Sequence, residues 1–329
     1  VKYADSLVFL DMQAQPPVAA PDLSDHLSLA MVTAAPPFMT DFEQVLGFVK
    51  QFAATIGEQA QLRLILDTGD LVDDGRTGIV LGLQNSIADC DAGKLQQIFD
   101  LGIRVIGIGY DEQNELGSGF LHPEIGLSEA GRQFIYDCAK IGLTIDLSHS
   151  SHQTAVEAVN EVRKLRSEGG YDIGVMASHG GCYEVFEDLR NLTLQALNGI
   201  LRLDGYIGVY TLTFSLHAND DTPNAFFRHL RIMEQVAKPR GFIGVGSDAV
   251  YQDLEIKDWK AKFAWMQAKL DPDGAKGSRW PDFPVELNGV DRMQRIDTFL
   301  TSEGYDEEIR ERLLGGDFMT FLATALPPR

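Results

Sequence analysis

The chain has 329 residues, 44% of them hydrophobic, and carries 28 Lys and Arg against 48 Asp and Glu, a net charge of −20. That balance argues against nucleic acid or an anionic membrane surface as partner, and no apolar stretch approaches the roughly 18–20 residues of a membrane span. Three scattered cysteines, Cys90, Cys138 and Cys182, match no zinc or disulfide spacing. The N-terminus lacks the basic start, apolar core and cleavage site of a signal peptide, so the expected location is cytoplasmic.

Along the chain, short apolar or β-branched runs alternate with longer helical patterns. The runs are Leu7–Met12, Leu27–Thr33, Ile79–Gln84, Val105–Tyr110, Leu143–Ser148, Gly174–Ser178, Tyr206–Leu212 and Phe242–Ser247. Most are nearly continuous in hydrophobicity, as parallel strands covered on both faces should be. Segments such as Ser128–Ile141 show helical spacing and end at a glycine, Gly142. Eight such units predict a (β/α)8 barrel across residues 1–329. An open doubly wound sheet is disfavoured because no glycine-rich phosphate loop follows the first run. From about residue 271, Pro- and Gly-rich loops precede the helical runs Val290–Glu303 and Asp306–Leu314. This C-terminal extension is expected to pack across the barrel exterior or one of its mouths.

In such barrels chemistry sits at the C-terminal ends of the strands. The fifth run ends DLSH at His149, the sixth ends ASH at His179, and the eighth ends GSD at Asp248. Two imidazoles and a carboxylate are therefore expected at one mouth, where neutral imidazoles suit zinc and an acid can ligate or shuttle protons. The remaining histidines, His26, His122, His152, His217 and His229, fall in loop or helix contexts and receive no role. The first run is unusual: VFLDMQAQP delivers Asp11, Gln13 and Gln15 to its end.

These tips resemble the membrane (renal) dipeptidase family, zinc peptidases of the amidohydrolase superfamily built on a (β/α)8 barrel. The similarity is strongest from GLSEAGRQFIYDCAKIGLTIDLSHSS through MASHGGCYEVFEDLRNLTLQALN to FIGVGSD, and RERLLGGDFMTFL resembles the family's closing helix. The resemblance implies that His149 and His179 correspond to metal ligands. Arg190, in DLRN, would hold the substrate carboxylate, for which a planar guanidinium is suited; the structural alternative is an ion pair with Glu187 or Asp188. Asp248 corresponds to the acid that shuttles protons. The family's frequent dimerisation extends to this chain by analogy.

The departures from the family pattern are specific. Its first-strand His-x-Asp appears as Gln13-Ala14-Gln15, its bridging Glu as Gln84, and a substrate-contacting His as Tyr110, while Ala249 and Val250 follow Asp248. Amides replace ligands that a binuclear site needs, and an amide oxygen cannot neutralise a pair of divalent ions. The expectation is therefore zinc or another divalent ion at no more than one per chain, or none, and a small dipeptide or related amide as partner. Three readings stay open: a mononuclear hydrolase using His149, His179 and Asp248, metal-free acid–base chemistry by the same residues, and a non-catalytic homologue that binds a small polar ligand.

Overall fold

Parallel strands need long crossovers, and the helical segments between the apolar runs supply them. The computed structural model describes residues 2–8, 23–237, 241–251 and 255–329. The strands are β1 (Ala4–Val8), β2 (Leu29–Thr33), β3 (Leu62–Leu64), β4 (Thr77–Leu83), β5 (Ile103–Gly107), β6 (Thr144–Asp146), β7 (Val175–Gly180), β8 (Tyr206–Val209) and β9 (Phe242–Val245). They pair in parallel in the order β1-β2-β4-β5-β6-β7-β8-β9, and β3 adds to β4 alone. Beyond β9, Ala249 bridges Val8 in parallel and the Asp248 amide donates to the Leu7 carbonyl at 3.0 Å. The sheet thus turns back on its first strand. The fold is a (β/α)8 barrel of the TIM type.

The expected strands all form, with shifted ends. The first begins at Ala4 instead of Leu7 because its polar residues are satisfied inside the barrel. Asp5 accepts hydrogen bonds from Ser247 N (2.8 Å), Ser247 Oγ (2.5 Å) and Tyr251 Oη (2.9 Å), and Ser6 Oγ donates to the carbonyls of Ser178 (2.6 Å) and Val245 (3.0 Å). Buried polar groups are tolerated when paired in this way. Phe9 to Met12 of the expected strand lie outside the described residues, as do Gln13 and Gln15. The short strand Leu62–Leu64 was not anticipated, being too brief to show a pattern.

The helix read from Ser128 spans Glu129–Ile141. Ser128 Oγ accepts the Gly131 amide at 3.0 Å, and Gly142 ends the helix at φ 95°, a conformation that favours glycine.

The C-terminal extension closes both ends of the barrel. At the N-terminal end of the strands the helix Asp317–Ala325 inserts Phe318 and Phe321 among Leu29, Val105, Met176 and Tyr206. The Tyr206 ring lies 5.0 Å from Phe318 and 5.8 Å from Phe321 between centroids. At the opposite end the helix Ile256–Leu270 and the loop that follows cover the mouth, so the cover begins before residue 271. It is held by Thr213, whose amide donates to the Asp282 carbonyl at 2.8 Å, and by an Arg279–Asp221 ion pair at 2.6 Å. Among the described residues no helix is long and apolar enough to cross a membrane.

Candidate functional site at the C-terminal mouth

The site is assembled from one carboxylate outward. Asp146 ends β6 and accepts four hydrogen bonds: Ser148 N (3.0 Å) and Oγ (2.5 Å), and Ser178 N (3.0 Å) and Oγ (2.5 Å). Ser148 Oγ in turn accepts the His179 amide at 3.1 Å. The tips of β6 and β7 are thereby tied together, and the histidines that follow the two serines are brought face to face. His149 Nε2 and His179 Nε2 lie 3.0 Å apart.

This network fixes a tautomer. Ser178 Oγ spends its proton on Asp146, so at 2.7 Å from His179 Nδ1 it can only accept. His179 therefore carries its proton on Nδ1 and presents a bare Nε2 to the mouth, the arrangement by which a second partner orients a metal-binding imidazole. At the observed 3.0 Å separation the His149 Nε2–H donates to it. Both imidazoles are held well below their usual pKa, first by burial and then by the nearby Arg190 cation, so they are neutral at neutral pH.

Four further residues surround the pair. Tyr110 stacks on His149 with centroids 4.0 Å apart and planes 26° apart. Asp111, absent from the sequence-derived candidates, places Oδ1 3.6 Å from His149 Nδ1 and pairs with Lys276 of the covering loop. Asp248 sits at φ 57°, in the left-handed region that Asp tolerates better than most residues, with Oδ2 4.0 Å from His179 Nε2. Burial, opposed by Arg190 and reinforced by Asp5, Asp111 and Asp146, pushes its pKa up to about 7.

Arg190 is 5% exposed and lines the same cavity. Its guanidinium donates to the Ser148 carbonyl, reaches the His179 carbonyl at 3.5 Å, and lies over the rings of Tyr210 and Phe120, 5.5 and 6.0 Å from their centroids. The anticipated alternative partner Asp188 instead accepts the Arg190 backbone amide at 2.9 Å. Among the described residues, the hydrogen bonds of this buried cation go to carbonyls and not to a carboxylate.

The donor set bears on metal binding. The Nε2 atoms of two imidazoles converge, but among the described residues no group of three or more His, Cys, Asp or Glu is placed to hold an ion. Gln84 at the tip of β4 is buried, and among the described residues both its amide atoms lack a hydrogen-bond partner. The described residues supply part of a metal site and do not complete one. Gln13 and Gln15 fall outside them.

A model of the membrane dipeptidase family, peptidase family M19, matches residues 24–325. The chain belongs to that family. A fission-yeast relative (Schizosaccharomyces pombe) described as an uncharacterized dipeptidase is 23% identical over 65% of this chain and 48% of its own length. Dipeptidase verJ of Clonostachys rogersoniana is 28% identical over 60% and 50%. The matched part thus spans about half the length of these curated relatives. Among solved structures, an amidohydrolase from Pseudomonas aeruginosa superposes with a TM-score of 0.79 at 20% identity, covering 98% of this chain and 96% of that one. A metallopeptidase from Rhodobacter sphaeroides, solved with a phosphinate mimic of the dipeptide L-Ala-D-Ala, superposes with a TM-score of 0.68 at 18% identity over 97% and 85%. At these identities the structural likeness speaks for the fold.

The sequence reading missed three kinds of residue. Asp146, Ser148 and Ser178 were inside the quoted motifs, and a Ser before each His was the signal for their role. His229, given no role, pins two mouth loops: its Nδ1 accepts the Cys182 amide at 2.9 Å and its Nε2 lies 3.0 Å from the Leu216 carbonyl. Lys276 and the covering side chains had no local signature.

Proposed function

We propose that this protein hydrolyses an amide bond in a small substrate bearing a carboxylate, a dipeptide or close relative, through an altered site that holds at most one divalent ion. The observation that carries the reading is Arg190: a buried guanidinium, facing the cavity beside the paired imidazoles, with no hydrogen-bonded carboxylate among the described residues. Taking a cation out of water is costly unless an anion meets it, and a substrate carboxylate would do so bidentately. Asp248, with a pKa of about 7, takes up or releases a proton near neutrality, as a group serving an amide cleavage must. Tyr110 orients His149 by stacking and forms a wall of the substrate space. His149 and His179 are the residues to hold an ion if one binds. Such an ion would supply Lewis-acid polarisation of the carbonyl.

The incomplete donor set and the unpartnered Gln84 amide favour a second reading, a homologue that binds a small polar ligand without turning it over. Metal analysis of the purified protein, alongside a panel of L,L and L,D dipeptides and non-peptide amides, separates the two. The proposed enzyme holds no more than about one divalent ion per chain, the limit of its ligand set. It cleaves some member of the panel and loses that activity in the His149→Ala/His179→Ala double variant. Two tightly bound ions would overturn the altered site. Binding without cleavage across the panel would establish the second reading.

A further inference from the structure

The part of the mouth most distant in sequence from the histidines carries information about the substrate. Helix Ile256–Leu270 and the loop to Phe283 bring both polar and apolar side chains to the cavity wall. The polar ones are engaged with one another. Asp271 accepts from Lys276 N (2.9 Å), Ser278 N (3.0 Å) and Ser278 Oγ (2.6 Å), and Gln267 Nε2 donates to the Ser278 carbonyl at 2.8 Å. Lys276 is paired with Asp111, and Asp282 accepts the Phe283 amide at 3.2 Å. A ligand that competed for these groups would have to break bonds already made.

The apolar side chains have no such alternative. Phe263, Met266 and Phe283 of the cover face the cavity together with Leu212 and Phe214 of the loop after β8. Their placement is fixed from behind: Phe263 packs on Trp280 with centroids 5.8 Å apart, and Met266 packs against the Val250–Trp259 cluster. The mouth as a whole, polar and apolar walls together, encloses about 120 Å³, less than an apolar cavity of ~150 Å³ that takes up one benzene, so it has room for one compact side chain and not several.

We infer that the ligand of this site carries, next to its carboxylate, one apolar side chain of about leucine size, seated against Phe263, Met266 and Phe283. The inference rests on the carboxylate-binding role proposed for Arg190. It excludes acidic side chains as preferred substituents, although two cations, Arg190 and Lys276, border the cavity.

Calorimetric titration of the whole chain with N-acetyl-leucine, N-acetyl-asparagine and N-acetyl-aspartate tests this without requiring turnover. Leucine should bind at least about tenfold more tightly than its polar, similarly sized counterparts, the discrimination available to an apolar pocket. The ratio should fall toward unity in Phe263→Ala and Met266→Ala and be retained in Phe263→Leu, with unfolding curves confirming that each variant is folded. Equal or tighter binding of aspartate, or a ratio unmoved in both alanine variants, overturns the inference. Binding of N-acetyl-leucinamide as tight as that of the acid, unaffected by Arg190→Ala, would count against the proposed function while leaving the apolar wall standing. No binding by any member overturns both.

Discussion

The two ends of the barrel are closed by the same C-terminal third of the chain in opposite chemical styles. At the N-terminal end, Phe318 and Phe321 meet Tyr206, Leu29 and Met176 in a seal of apolar surface. At the C-terminal end, the cover encloses Arg190 together with Asp111, Asp248 and His149, and burial has displaced the proton affinities of those last three. The packing of the first end is accounted for by apolar burial. The other retains buried polarity that folding by itself does not require, and such displaced groups gather where a protein acts.

Three measurements press on this contrast. The largest effect is expected at the sealed end, where Phe318→Ala should lower unfolding free energy by ~3–5 kcal/mol, the usual cost of emptying a buried aromatic site. Ligand affinity at the mouth should be unaffected while the variant stays folded. A change in affinity equal to the stability loss would show that the two ends are not separable.

The next effect is a pH dependence at the loops supporting the mouth. His229 is held neutral by burial, with its pKa lowered from 6.5 to about 4. The unfolded chain takes up a proton below pH 6.5 that the folded chain refuses until about pH 4. Stability from this group is therefore complete above the upper value and lost as pH falls toward the lower one, by up to ~3 kcal/mol. Chemical unfolding of the parent and His229→Gln at several pH values across that interval should show a shallower acid loss in the variant. Parallel curves would remove His229 from the account.

The smallest effect concerns Gln84. A buried amide without partners costs ~1–3 kcal/mol, so Gln84→Leu should leave stability unchanged or raise it by about 1 kcal/mol. A clear destabilisation would mean that the amide has a partner in solution.

Much of this architecture was legible because it rests on period and composition. Apolar runs such as Val105–Tyr110 could be recognised as buried strands, and Ser128 and Gly142 marked a helix by their capping chemistry. His149, His179 and Asp248 could be placed because the end of a parallel strand is a defined place in a barrel. The start of β1 was obscured by Asp5 and Ser6, whose partners lie 242 and 172 residues away in sequence. Lys276 reaches Asp111 across 165 residues, and nothing local to either announces the pair. Sequence period records which way a side chain faces, whereas these residues are defined by what they meet.

The carboxylate of Asp146 has a consequence for how such a site can change. Because it anchors Ser148 and Ser178 together, the two histidines are held as one assembled part. Gln84, just past the end of another strand and with its amide unpartnered among the described residues, stands outside that part. Substitution there should leave the histidine pair undisturbed. In a mouth built in this way the histidine pair is positioned independently of whatever group stands at residue 84.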